Sequence, residues 1–165
     1  MKKWFPQAVM ALCAVSGMLL FTQCKKDKKD NPKDPAFKEF LIGKKWQLSA
    51  YTANPGIEDG EGRVVTDLYA VFPACIKDDF TEYFANGTAA EDEGPTKCAP
   101  ASPQRRTFNW DLKADGTLEG RGDDDDFTGT YRAEKISNTS YKITGTGHYN
   151  DDPTPRTVVL TFKAI

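Results

Sequence analysis

The sequence predicts an all-β domain, an antiparallel meander of about eight strands with one short N-terminal helix. Two observations carry this reading. Apolar and polar residues alternate with a period of two over several runs after residue 45, as on half-buried strands. Turn dipeptides such as Asn86-Gly87 and Asp115-Gly116 join these runs, so strands follow one another through short connections. Only one face of each strand is consistently apolar, and the sheet must close or fold on itself to cover it. An up-and-down barrel does so without exposed edges. A two-sheet sandwich is the rival that periodicity does not separate; the barrel is preferred.

The elements follow in order. Phe37, Phe40 and Leu41 share a face at helical spacing, with Gly43 as the stop. Trp46, Leu48 and Ala50 then alternate with Lys45, Gln47 and Ser49. Val64 to Phe72 is a second β-rich run ended by Pro73, and Phe80 to Phe84 a third, returning from Asn86-Gly87 through Thr88 to Glu91. Phe108, Trp110 and Leu112 point one way, and Leu118 lies on the strand returning from Asp115-Gly116. Phe127, Gly129, Tyr131 and Ala133 form the next inward set, before a turn at Ser137-Asn138. Tyr141, Ile143 and Gly145 follow, and Val158, Leu160, Phe162 and Ala164 come last.

The N-terminal region reads differently. Lys2 and Lys3 precede an uncharged, largely apolar run of about 14 residues, Ala8 to Phe21. That is short of the roughly 20 residues a membrane-spanning helix needs. Cys24 then opens the charged run Lys25-Lys26-Asp27-Lys28-Lys29-Asp30. A basic start, a short apolar core and a cysteine at the cleavage point resemble a bacterial lipoprotein signal. Residues 1–23 are the expected signal peptide, and Cys24 the expected lipid attachment site. An ordinary secretory signal is the competing reading. Residues 24–35 form the lipidated cysteine and a charged, proline-containing tether, too polar to offset its ordering entropy. Fully stretched, it reaches on the order of 35 Å.

About 130 residues, 36–165, are left for one domain, enough for a real core. The formal charge of −2 becomes about −4 without Lys2 and Lys3, which gives no hint of a nucleic-acid partner. Beyond Cys13 and Cys24, only Cys75 and Cys98 remain. In an oxidising compartment they are expected to pair, stabilising the fold by roughly 3 kcal/mol on the chain-entropy model. A zinc site would need more soft ligands, and the chain has one histidine, His148.

The order of features resembles the lipocalin-like domain of small Bacteroidetes-type lipoproteins. The residues that carry the likeness are Gly43-Lys44-Lys45-Trp46, Cys75-Ile76-Lys77-Asp78-Asp79 and Phe84-Ala85-Asn86-Gly87. Asp92-Glu93-Gly94 through Lys97-Cys98, and Trp110 with Asp115-Gly116, complete it. The resemblance covers the whole mature domain and implies a small antiparallel barrel with a cavity. It names no ligand; binding of small apolar molecules is a fold-level analogy.

Candidate chemistry is sparse. Asp123 to Asp126 invites a calcium reading, but the spacing fits no calcium loop, and a solvated hairpin loop is preferred. Asp151-Asp152 reads the same way, and Arg121-Gly122-Asp123 reads as a coincidence of spelling. His148 has no nucleophile motif beside it, and no phosphate-binding or zinc-protease pattern occurs. Gly120, Gly129 and Gly145 fall at candidate inward positions, as bulge, taper or room for a ligand. Glu82, alternating with Phe80 and Phe84, is a candidate interior carboxylate. The candidate cavity lining is Trp46, Trp110, Tyr131, Tyr141 and Phe162.

The expectation is therefore an exported, lipid-anchored, monomeric and non-enzymatic protein without metal or cofactor. It would sit on the bacterial outer membrane, at the periplasmic face or the cell surface, and bind a small apolar or amphipathic ligand. The alternative is a filled barrel acting as a structural or interaction module, engaging a protein or glycan through its loops.

Overall fold

The structure, a computed structural model, describes residues 35–120, 127–149 and 152–165. Cys24, the tether to residue 34, the Arg121-Gly122-Asp123 and Asp123 to Asp126 runs, and Asp151 lie outside the described residues.

Helix α1, Pro35–Leu41, buries Phe37 and Leu41 on one stripe and stops before Gly43, whose φ of 72° lies in the left-handed region that favours glycine. The indole Nε1–H of Trp46 donates to the Leu41 carbonyl at 2.8 Å, fixing the helix to the first strand. Strand β1, Lys45–Glu58, is longer than its alternation suggests, and a register shift between Leu48 and Ala50 bends it. Strand β2 is only Val64–Asp67, and the expected continuation to Phe72 is instead helix α2, Leu68–Val71. The cause is local: the Asp67 carboxylate accepts from the Ala70 N–H at 3.1 Å and caps the turn. Helix α3, Ala74–Lys77, begins after Pro73. A single N-terminal helix was expected; the two added turns of helix correct this.

The hairpin of β3, Phe80–Tyr83, and β4, Thr88–Asp92, turns at Asn86-Gly87 as predicted, with Gly87 at φ 82°. Beyond it come β5, Arg105–Asn109, then β6, Asp111–Leu112, and β7, Leu118–Glu119, the last two joined through Asp115-Gly116. Strands β8, Phe127–Ser137, β9, Ser140–Tyr149, and β10, Asp152–Ala164, are long, with register shifts between Lys135 and Ser137 of β8 and between Asp152 and Arg156 of β10.

All strand pairs are antiparallel. The eight-stranded sheet runs β5-β4-β3-β1-β10-β9-β8, with β2 paired to β1 off this path. The β6–β7 hairpin forms a separate small sheet beside both outer strands. It starts two residues after β5 ends. Its turn reaches β8, where Thr117 bridges to Arg132 and the Ala133 N–H donates to the Gly116 carbonyl at 2.9 Å.

The register defines two ends. At one, α1 lies over the start of β1, and the Gly43 N–H donates to the Tyr83 carbonyl at 3.0 Å. The aromatic core sits here: Phe37, Leu41, Trp46, Tyr83, Trp110 and Tyr141 are all buried. At the other end, β3 and β5 begin and β4 stops, and the segments 68–79 and 93–104 meet. The Cys75–Cys98 disulfide joins these two segments. The pairing expected from cysteine count is thus present, and it clamps the base of the β3–β4 hairpin.

Candidate functional site

The core at the helix end forms a floor. Trp46 meets Tyr141 edge-on at 4.9 Å between ring centroids, Tyr141 stacks on Phe162 at 4.9 Å, and Tyr83 tilts against Trp110 at 4.6 Å. The hydroxyls of Tyr83 and Tyr141 share a hydrogen bond of 3.2 Å, and the Trp110 indole N–H donates to the Phe84 carbonyl at 3.2 Å. The polar tips of these rings are therefore satisfied within the floor. Burial first, then Tyr83, push the Tyr141 hydroxyl well above its ordinary pKa, so it stays neutral.

Above this floor lies a cavity of about 190 Å³. Leu48 of β1, Phe108 of β5 and Leu118 of β7 form part of its wall, with Tyr131 of β8, Ile143 of β9 and Leu160 of β10. Thr81 and Tyr83 of β3, and Glu91 of β4, also line it. Residues of eight strands, β1, β3, β4, β5, β7, β8, β9 and β10, thus line one space. A second lobe of about 260 Å³ lies beside it under α3, bounded by Trp46, Ile76, Asp79 and Phe80. Leu48, Thr81, Glu91 and Phe162 belong to the walls of both lobes.

Of the residues the sequence proposed as lining, Tyr131 faces the first lobe, Trp46 the second, and Phe162 both. Trp110 and Tyr141 belong to neither wall; they are buried in the floor, where ring packing consumes their surface. The candidate interior carboxylate needs correction. Glu82 is paired in register with Lys45 and Ala90, on the face opposite Thr81 and Tyr83, and its carboxylate takes a hydrogen bond from Arg105 at 2.7 Å. The carboxylate in the wall is Glu91, paired in register with Thr81. Phe80 and Phe84 suggest the opposite parity because both faces of this short strand carry aromatic rings.

The glycines split as well. Gly120 lies in the cavity wall at φ 87°, where any Cβ would overlap the Asn109 carbonyl. Gly145 is a packing glycine: an added Cβ would lie 2.5 Å from the Tyr131 ring. It makes room for a tyrosine, not for a ligand. Gly129 pairs with Gly147 across β8 and β9.

Asp79 is the acid that sequence reasoning missed. Burial, followed by Glu93, Asp78, Glu91 and Asp92, pushes its carboxyl up to about 7. Its Oδ1 is buried with no hydrogen-bond partner. The available signal was the run Asp78-Asp79 immediately before the apolar strand Phe80 to Phe84, which forces one acid toward the interior.

The other candidates take structural roles or stand apart. His148 is exposed on β9 and outside both cavity walls. Asp152 accepts from Arg156 at 2.5 Å and from the Thr154 N–H at 2.8 Å, which holds its carboxyl well below the usual range. Arg156 itself is buried, with its Nε–H donating to the Gly56 carbonyl at 3.3 Å. Among the described residues, no group of three or more potential ligands could hold a metal ion. Nor is any described helix long and apolar enough to cross a membrane. Compared with known proteins, the chain matches no family model, no curated protein and no solved structure.

Proposed function

We propose that this chain is an exported lipoprotein, anchored through Cys24 to the bacterial outer membrane. Its β-domain closes into a lipocalin-like barrel that holds a small apolar or amphipathic molecule. The observation that carries the binding reading is the cavity whose wall takes residues from β1, β3, β4, β5, β7, β8, β9 and β10. A flat sheet cannot turn eight strands toward one space; a sheet curled on itself does. The β6–β7 hairpin is the closing piece. It continues from β5 on one side and contacts β8 through Thr117 and Gly116 on the other.

The same space favours a carrier over a filled barrel, and the chemistry of its wall favours binding over catalysis. Its interior polar groups are a threonine, tyrosine hydroxyls and carboxylates, with no nucleophile–base pair among them. The N-terminal pattern supplies the address. The basic start, the short apolar core and Cys24 account for residues 1–24, and the charged tether separates lipid from domain.

Titration with the neutral fluorescent dye N-phenyl-1-naphthylamine tests the binding reading. Saturable one-to-one binding, weakened by Leu160→Trp in a variant that retains the wild-type circular dichroism, is the expected result. A dye signal that never saturates would leave the filled barrel as the better account. Radiolabelled fatty-acid incorporation, lost in Cys24→Ser, tests the anchor separately.

A further inference from the structure

We propose that the end of the domain from which the tether leaves is a docking surface for a phospholipid bilayer with anionic headgroups. Exposed isoleucines there enter the headgroup layer, and lysines meet the phosphates. This rests on the anchor reading, and it adds how the domain stands on the membrane that holds it.

The surface is a continuous rim. The ring of Phe40 on α1 has the Lys44 ammonium 4.0 Å from its centroid and the Lys135 ammonium at 4.8 Å. Ile136, next along β8, is 54% exposed. The β8–β9 turn follows, and its Thr139 carbonyl accepts from the Ala164 N–H at 2.9 Å. Ile165, 61% exposed, then donates its N–H to the Lys45 carbonyl at 3.1 Å, back at the start of β1. Lys163 pairs with Gln47, which shares the outward face of β1 with Lys45. Of the four large apolar side chains exposed among the described residues, Ile136 and Ile165 are both here, with lysines beside them. Apolar side chains set among basic ones suit the boundary between headgroups and acyl chains.

Charge and chain direction choose the occupant. Among the described residues, Lys44, Lys45 and Lys163 have no ion pair, and Lys44 and Lys45 lie over the rings of Phe40 and Phe80. Lys135 has partners already, and Lys142 pairs with Glu134 at 3.1 Å. The nearby acids are engaged as well: Arg105 holds Glu82, across from Lys45, and Lys38 holds Asp111 at 2.7 Å. Glu39 of α1 is left as the exposed acid of this end. Partial burial, and then Lys135, hold the Lys44 ammonium below its ordinary pKa, and an anionic group at the rim would offset that repulsion. Toward the opposite end the acids gather, with Glu58, Asp59 and Glu61 at the β1–β2 turn and Asp92 and Glu93 where β4 stops. An anionic surface therefore draws the rim and repels the far end. Pro35 opens α1, and the eleven residues 24–34 before it carry five lysines against three aspartates. Drawn in by its anchor, the domain meets the bilayer from this side. A second copy would instead bring the same lysines against the rim.

Vesicle flotation tests the rim apart from the anchor, using the chain from residue 24 onward with Cys24→Ser, so that no lipid is attached. Binding to vesicles of equal parts phosphatidylcholine and phosphatidylglycerol is expected, with little to phosphatidylcholine alone and a loss at high salt. Lys44→Gln, Lys45→Gln and Lys163→Gln together should weaken it about a hundredfold, at roughly fivefold per lysine. Ile136→Ser should weaken it too, while Arg63→Gln at the far end leaves it unchanged; wild-type circular dichroism qualifies each variant. No binding to the anionic vesicles, or equal binding by the triple variant, would overturn the inference, the latter assigning attachment to the tether. So would self-association of the unlipidated chain that the triple variant abolishes, which would make the rim an interface between copies. Fatty-acid labelling at Cys24 is a separate readout. Its failure with vesicle binding intact would remove the anchor and leave the rim as a peripheral membrane site.

Discussion

At the scale of single residues, Asp79 makes the sharpest commitment. Its folded-state pKa is raised to about 7, chiefly by burial. A carboxyl raised in this way binds its proton more tightly in the folded protein than in the unfolded chain. Stability therefore falls as pH rises from about 4, the ordinary carboxylate value, to about 7, and the effect is flat outside that window. Asp79→Asn should raise the melting temperature by a few degrees above pH 7 and leave it unchanged near pH 4, as thermal scans across a pH series would show. A variant with the wild-type pH profile would mean that Asp79 is not the responsible group. Trp46 is the opposite kind of residue, fully buried, hydrogen-bonded to Leu41 and edge-on to Tyr141. Trp46→Ala should cost about 3–5 kcal/mol in urea unfolding. Its burial was legible because Trp46 alternates with polar neighbours. The facing of Glu82 was not, since β3 carries rings on both faces and parity had to be taken from its partners.

Among the elements, the Cys75–Cys98 bridge and the β6–β7 hairpin each hold a boundary of the sheet. The bridge closes a separation of 23 residues that contains both strands of the β3–β4 hairpin, together with Asp79 and Glu91 of the cavity wall. Cys75→Ser should cost roughly 3 kcal/mol and should raise hydrogen exchange first at β3 and β4. An unchanged melting temperature would show that the hairpin is held by pairing alone. Cysteine arithmetic made the bridge legible in the sequence. Helices α2 and α3 were not, because Leu68, Tyr69 and Val71 read equally well as strand residues. The decision falls to the Asp67 cap and to Pro73, both of which act only once the chain turns there. The hairpin makes a separate claim. If it seals β5 to β8, the Ala133 amide, bonded to Gly116 at 2.9 Å, should exchange as slowly as the amides within β9.

For the whole molecule, period-two alternation specified one buried face, and the antiparallel order of the strands follows from the short turns between them. Where that face would leave space was beyond the pattern. The cavity depends on Gly145 admitting Tyr131, on the bend of β1 after Leu48, and on α3 lying beside Phe80. Each is a property of elements once packed. Packing brings Leu48, Glu91, Tyr131 and Leu160 from distant parts of the chain around one space, and α1 buries Phe37 and Leu41 at the other end. The account of the protein as a carrier stands on that space being occupied in its native setting. Native mass spectrometry of the protein purified from its own membranes measures this most directly. The expected spectrum shows, besides any covalent lipid, a single small-molecule adduct that is lost on gentle activation. A spectrum with only the covalently lipidated mass, unchanged when N-phenyl-1-naphthylamine is added, would contradict the account.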